Sequence, residues 1–93
     1  MQDDKRKQLV ELFIESGQAH GKAHEATNGE DAEWPIWYAD HLYDNLKRLT
    51  QKSFTRSELI YFLVLADRQH RASAKSQLWP DFYADLMLAE NVI

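Results

Sequence analysis

Two histidines, His20 and His24, lie four residues apart in a segment with the apolar periodicity of an α-helix. This spacing places both imidazoles on one face of the helix, as in helices that bind a metal ion. A third ligand has to come from another element, and the next predicted helix offers Asp40, His41 and Asp44. Two histidines and a carboxylate suit zinc or iron. The sequence therefore allows a metal site made of His20, His24 and Asp40.

Aromatic side chains are concentrated around two W-P pairs, at positions 34–35 and 79–80. The set comprises Trp34, Trp37, Tyr38, Trp79, Phe82 and Tyr83. Aromatic residues at helical spacing usually belong to a hydrophobic core. Trp34 and Trp37, however, lie beside a glycine-containing loop, and a buried indole needs a partner for its N–H group. Part of this set is therefore a candidate for the wall of a pocket or for an interface.

Several classes of chemistry are disfavoured by what the sequence lacks. The chain has no cysteine, so it forms no disulfide, thiolate nucleophile or sulfur-ligated metal centre. Its serines have no G-x-S-x-G context, and its three glycines form no phosphate-binding loop. Gly17 and Gly21 instead have the G-x-x-x-G spacing that lets a neighbouring helix approach closely. We assign no catalytic residue and no cofactor, and an enzyme is the less favoured class.

The composition is that of one folded, acidic domain, residues 1–93. Of the 93 residues, 44% are hydrophobic, which is enough for one compact core. The net charge of −4 gives no general attraction for nucleic acid or anionic lipid. The N-terminal stretch is charged where a signal peptide is apolar, and the longest apolar run, residues 59–66, is too short to span a membrane. We expect a cytoplasmic protein that binds neither nucleic acid nor membranes.

Periodicity and capping residues predict four helices, at about residues 5–27, 35–50, 55–75 and 80–91. Asn28, followed by glycine, is a natural left-handed stop after the first helix. Pro35 and Pro80 suit the first turns of the second and fourth helices. Thr55 and Glu58 have the spacing of a capping box at the start of the third. No strand is expected.

The two W-P pairs belong to a longer internal similarity. If His24 is aligned with His70 and one loop residue is removed, WPIWYAD (34–40) aligns with WPDFYAD (79–85). We interpret this as a repeated helical hairpin, with hairpins at residues 5–50 and 55–92. The predicted fold is therefore all-α, a four-helix up-down-up-down bundle built from two repeated hairpins.

The repeat argues against the metal site. His20 aligns with Ala66, so a metal site would exist in only one half of the molecule. The glutamate of H-E-x-x-H and the E-x-x-H pairs of di-iron bundles are also absent. A metal site is therefore the weaker interpretation of this segment.

A structural role is the favoured interpretation of the histidines. His24 and His70 would each hydrogen-bond the loop or the following helix of its own hairpin. Asp40 and Asp85, which also align, are the expected partners. A metal-free ligand site built from the same residues is a third interpretation.

A resemblance is carried by the segment from His24 to Leu42, which reads H-x-x-x-x-G and then W-P-x-W-Y-A-x-x-L. This pattern resembles a signature of short bacterial helical proteins of uncharacterised function. The resemblance covers about a fifth of the chain. It implies a helical fold and transfers no catalytic residue.

Taken together, these features predict a small, soluble, non-catalytic helical interaction or regulatory module. A bundle of this size is expected to leave some large apolar side chains exposed, which favours a homodimer or a protein partner. The alternative is a small metal- or ligand-binding enzyme or sensor that uses the first hairpin. The candidate ligand or interface residues are His20, His24, Trp34, Trp37, Asp40, His41, His70, Trp79 and Asp85.

Overall fold

The protein consists of four α-helices and one short 3-10 turn. The computed structural model describes residues 2–73 and 77–90, with side chains for 4–72 and 77–89. The helices are α1 (Gln2–Ala23), α2 (Trp34–Thr50), α3 (Arg56–Ser73) and α4 (Trp79–Glu90), and the 3-10 turn is Glu25–Thr27. Within those described ranges there is no strand, so the all-α prediction is confirmed. Positions 74–76, 91 and 92 of the predicted second hairpin fall outside the described residues.

Each helix packs against two others. Helix α1 contacts α2 and α4, and α3 contacts the same two helices. This closed ring of neighbours, with short connections between successive helices, is the arrangement of a four-helix bundle. The first hairpin is α1–α2 and the second is α3–α4. Of the helices in the described part of the chain, none is long and apolar enough to cross a membrane.

The core lies along the axis of the bundle and receives side chains from all four helices. Its fully buried large apolar residues are Leu9, Phe13, Leu42, Leu46, Leu59, Phe62, Leu63 and Met87. On α1 the buried stripe continues as Ser16 and His20. Ile14, an apolar residue next to this stripe, is 44% exposed. It follows Phe13 directly and so points about 100° away from it around the helix.

Local sequence signals set most of the helix ends. Thr55 and Glu58 form the predicted capping box, because Thr55 Oγ1 accepts the Glu58 N–H (3.0 Å) and Glu58 Oε1 accepts the Thr55 N–H (2.8 Å). Pro35 and Pro80 lie in the first turns of α2 and α4. Gln51 ends α2 in the left-handed region, with φ 57°.

Helix α1 ends at Ala23 rather than at the predicted residue 27. The 3-10 turn replaces the last helical turn, and the Gly29 N–H donates to the His24 carbonyl (2.8 Å). Asn28 (φ 57°) and Gly29 (φ 81°) then reverse the chain, as the sequence predicts. This early reversal brings the loop at residues 28–33 back over the last turn of α1.

Candidate functional site

His20 occupies a buried position at the loop end of the bundle. It lies in the last turn of α1 with 7% of its surface exposed. Its ring stacks on those of Tyr38 (centroids 4.8 Å apart) and His24 (4.4 Å), and the Trp37 indole meets it edge-on (4.9 Å). The predicted i, i+4 face is therefore present, and α2 covers it.

The carboxylate that faces these two imidazoles belongs to Asp31. Its Oδ2 lies 3.2 Å from His20 Nε2 and 3.5 Å from His24 Nε2. Its Oδ1 accepts the backbone N–H of Glu33 (3.0 Å), which fixes the carboxylate just before α2. Asp31 therefore connects the end of α1 to the start of α2.

The pKa of Asp31 lies below its ordinary value. Desolvation opposes ionisation of this carboxyl, but the hydrogen bond from His20, the Glu33 N–H and the charge of a protonated His24 together outweigh it. Asp31 is consequently an anion at neutral pH.

The ring of His24 is oriented by the carbonyl group one helical turn before it. Its Nδ1 lies 3.2 Å from the His20 carbonyl oxygen, which can only accept, so Nδ1 carries a hydrogen. Its Nε2 faces the Asp31 carboxylate at 3.5 Å.

His20, His24 and Asp31 form one group of possible metal ligands, which we call the His–Asp cluster. One ligand atom from each lies within 4.8 Å of the others. The expected third ligand, Asp40, is not part of it, because its carboxylate pairs with Arg56 of α3 (3.3 Å) on the exposed side of α2. The sequence carried only a weak signal for Asp31, an acidic residue three positions before Trp34.

His41, the other candidate from α2, also lies away from the cluster. Its Nε2 is 3.0 Å from a carboxylate oxygen of Glu15, and its ring stacks on Trp37 (centroids 4.9 Å apart). This contact joins α1 to α2 at the surface.

In the second hairpin a single histidine holds the loop. His70 Nε2 donates to the Gln77 carbonyl (2.6 Å). The predicted contact between His70 and the loop is present, but it does not pass through Asp85. That carboxylate accepts hydrogen bonds from Arg6 (2.6 Å) and from the Gln77 amide (3.0 Å).

A cleft of about 450 Å³ opens between the two hairpins beside the His–Asp cluster. It is lined by His20, Gly29, Asp31, Trp34, Tyr38, Leu63, Asp67, His70, Arg71, Trp79 and Tyr83. Trp34, Trp79 and His70 were candidates from the sequence, whereas Asp67 and Arg71 were not. These two form an i, i+4 ion pair (3.1 Å). Trp37 does not line the cleft, because its ring lies between His20 and His41.

Tyr38 and Tyr83 both line the cleft. Desolvation raises the pKa of both phenols, and for Tyr83 the charge of Asp67 adds to this effect. Both phenols therefore keep their hydrogen at neutral pH.

Comparisons of the chain with protein-family models, curated proteins and solved structures found no match. The resemblance to short bacterial helical proteins stays a prediction. Any functional proposal rests on the cleft and the His–Asp cluster.

Proposed function

We propose that this protein is a small helical binding module that holds a small molecule in the cleft. The observation that carries the proposal is a concave site of about 450 Å³ to which both hairpins contribute. Small-molecule sites in proteins typically have volumes of roughly 300–1,000 Å³ and combine apolar walls with a few polar groups. The cleft has both properties.

The walls suit a planar ligand. Trp34, Trp79, Tyr38 and Tyr83 offer ring surfaces, and such surfaces bind flat apolar groups over a large area. The rings hold one another in edge-to-face contacts, with centroids 5.2 Å apart for Trp79–Tyr83 and 6.0 Å apart for Tyr38–Trp79. The cleft is thus formed before a ligand enters it, which lowers the entropic cost of binding.

The polar groups of the cleft determine what the ligand must carry at its edge. The two tyrosine hydroxyls and the Asp67–Arg71 pair supply both donors and acceptors. We therefore propose a small planar molecule with hydrogen-bonding groups as the ligand class. A module of this kind would have the regulatory or interaction role expected from the sequence.

Self-association and the absence of catalysis stay predictions. The large apolar residues that are exposed lie on different elements: Ile14, Ile36, Tyr61 and Leu78. Light scattering after size-exclusion chromatography measures the number of chains per particle directly.

The three tryptophans allow a specific test of the cleft. Trp34 and Trp79 line it and Trp37 does not, so a ¹H–¹⁵N correlation spectrum has two indole N–H signals inside the site and one outside. In a titration with a library of bicyclic heteroaromatic fragments, we expect saturable shifts of the Trp34 and Trp79 indole signals. The Trp37 signal should move less.

Matched tyrosine variants complete this test. Tyr83→Phe removes a cleft hydroxyl, whereas Tyr61→Phe removes one from a side chain that is 68% exposed on α3. We expect Tyr83→Phe to weaken fragment binding and Tyr61→Phe to leave it unchanged. Binding that moves mainly the Trp37 signal, or a library without any saturable binder, would refute the cleft as the functional site.

A further inference from the structure

We infer that His20, His24 and Asp31 bind one divalent transition-metal ion of the zinc type. The inference deepens the proposed function, since His20 and Asp31 also line the cleft. It rests on the proposed function only for the molecule that would bind the ion from the cleft. The three protein ligands do not depend on whether the cleft holds such a molecule.

The distances within the His–Asp cluster suit such an ion. Bonds of about 2.0–2.1 Å in a tetrahedral site place ligand atoms about 3.3 Å apart. The two imidazole nitrogens lie 3.2 and 3.5 Å from Asp31 Oδ2, which already matches this spacing. The widest separation in the cluster is 4.8 Å or less, so the two rings approach by at most about 1.5 Å when the ion binds. Small rotations of the two side chains supply that movement.

The ligand chemistry selects the class of ion. Two imidazoles and one carboxylate are borderline ligands that favour zinc and its neighbours in the first transition row. Calcium and magnesium prefer sites made of oxygen atoms. The cluster should therefore bind zinc or cobalt(II) and reject magnesium.

Two of the three ligands, His24 and Asp31, have the supporting contacts expected in a metal site. Metal-binding histidines usually donate their other ring N–H to a carbonyl or carboxylate, which orients the ring. The Nδ1 of His24 does this with the His20 carbonyl, so its Nε2 lone pair is directed toward Asp31. The Glu33 N–H fixes the other oxygen of Asp31.

In the second hairpin, the loop is held by fewer side chains than in the first. There one histidine, His70, holds the loop through a backbone carbonyl. At the position of His20 the second hairpin has Ala66, which is fully buried in the core. When His24 is aligned with His70 and no loop residue has yet been removed, Asp31 aligns with Gln77. The first hairpin therefore carries two potential ligands, His20 and Asp31, that have no counterpart in the second.

Three protein ligands leave one position of a four-coordinate ion open. His20 and Asp31 both line the cleft, so we place this open position on the cleft side. A cleft ligand with an oxygen or nitrogen donor at its edge would then bind the ion directly. The ion would make the module selective for ligands that carry such a donor.

Zinc titration of the full chain tests the inference. We expect one equivalent of zinc per chain by isothermal titration and elemental analysis. The melting temperature should rise with zinc and return with excess chelator, because the ion binds the folded state. Magnesium should have no effect.

Four variants separate metal coordination from hydrogen bonding. Asp31→Asn keeps the hydrogen-bond acceptor but is a poor ligand, and His24→Gln removes the imidazole. Each should weaken zinc binding by more than about 100-fold, beyond the usual effect of a residue that only supports a ligand. Asp31→His removes the carboxylate charge but supplies a ring nitrogen, so it should retain zinc. His41→Gln, at an exposed histidine–glutamate pair, is the control and should bind zinc as the wild type does.

The visible spectrum of the cobalt(II) protein tests whether the fourth coordination position is open to a ligand. The wild-type cobalt protein should show the intense visible bands of four-coordination, and thiocyanate should change them. Wild-type zinc affinity in Asp31→Asn or His24→Gln, loss of zinc in His41→Gln, or less than one equivalent of zinc in the wild type would overturn the inference. If zinc fails to bind while aromatic fragments still bind the cleft, the proposed function survives alone. If zinc binds but fragments do not, only the cleft proposal fails.

Discussion

The close contact between α1 and α4 at Gly17 provides a quantitative test of the packing. A Cβ atom at position 17 would lie 2.9 Å from Cζ2 of Trp79, well inside normal contact distance, and 3.7 Å from Cη2, which is an ordinary contact. The indole cannot easily move away, because Phe13, Tyr38 and Tyr83 pack against it at centroid distances of 5.2–6.1 Å. Gly17→Ala should therefore strain the core.

Gly21, one turn further along the same helix, is the matched control. A Cβ atom there would have no neighbour within 4 Å. Replacing a helical glycine by alanine usually adds about 0.5–1 kcal/mol of stability, because the unfolded chain loses conformational freedom. Gly21→Ala should show this gain in full.

The magnitude for Gly17→Ala follows from two opposing effects. Overpacking a core costs about 1–3 kcal/mol, and the same helical gain offsets part of it. We expect Gly17→Ala to be less stable than the wild type by up to about 2.5 kcal/mol and less stable than Gly21→Ala by about 1–3 kcal/mol. The difference between the variants isolates the packing effect, since the helical gain cancels.

Urea unfolding, followed by circular dichroism at the helical band, measures these differences. A stability difference of 1 kcal/mol corresponds to about 4–8 °C in melting temperature for a domain of this size, so thermal melts provide a second reading. In the double variant Gly17→Ala/Trp79→Phe, the smaller ring should remove most of the Gly17→Ala penalty. If Gly17→Ala proves as stable as Gly21→Ala, the close approach of α4 to α1 is wrong.

Two further predictions concern the helix start at Thr55 and the ion pair at Arg6. Thr55→Ala removes the capping hydroxyl of α3 and should lower the free energy of unfolding in urea by about 0.5–2 kcal/mol. Thr55→Ser keeps a hydroxyl and should retain most of the stability. Equal stability of the two variants would count against the cap. The hydrogen bond from Arg6 holds the pKa of Asp85 below its ordinary value, so the stabilisation is present above pH of about 4 and is lost as acid protonates the folded carboxylate. Since the pair is largely solvent-exposed, Arg6→Gln should lower the free energy of unfolding by no more than about 1 kcal/mol at pH 7. The difference in stability between wild type and variant should shrink from pH 5 to pH 2. A difference that stays constant would refute the assignment.

The four helices and most of their ends could be predicted because their signals are local. The capping box of Thr55 and Glu58 and the left-handed Asn28 act within a few residues of where they stand in the chain. Ile14 shows the limit of periodicity, because it is apolar and lies next to the buried stripe but is 44% exposed. Its exposure depends on the position of neighbouring helices, which periodicity alone does not specify.

The candidate site was predicted only in part. The pairing of His20 with His24 follows from helical spacing, but the partner carboxylate was expected from Asp40 on α2. From the sequence, residues 28–33 could be identified only as a polar loop. The conformation of such a loop depends on several backbone torsions at once, which the sequence pattern does not specify. The reversal at Asn28 carries Asp31 over the end of α1, while the rotation of α2 directs Asp40 toward Arg56.

The sequence by itself determined the class of structure, since periodicity, caps and prolines act over short distances and agree with one another. It also supplied the chemical inventory, namely four histidines, no cysteine and two aromatic W-P segments. The tertiary structure decided which groups meet. The cleft joins residues as distant in sequence as His20 and Tyr83, and Asp31 meets its histidines across a turn. Such contacts depend on how helices of fixed pattern rotate and pack against one another, and only the folded bundle specifies that arrangement.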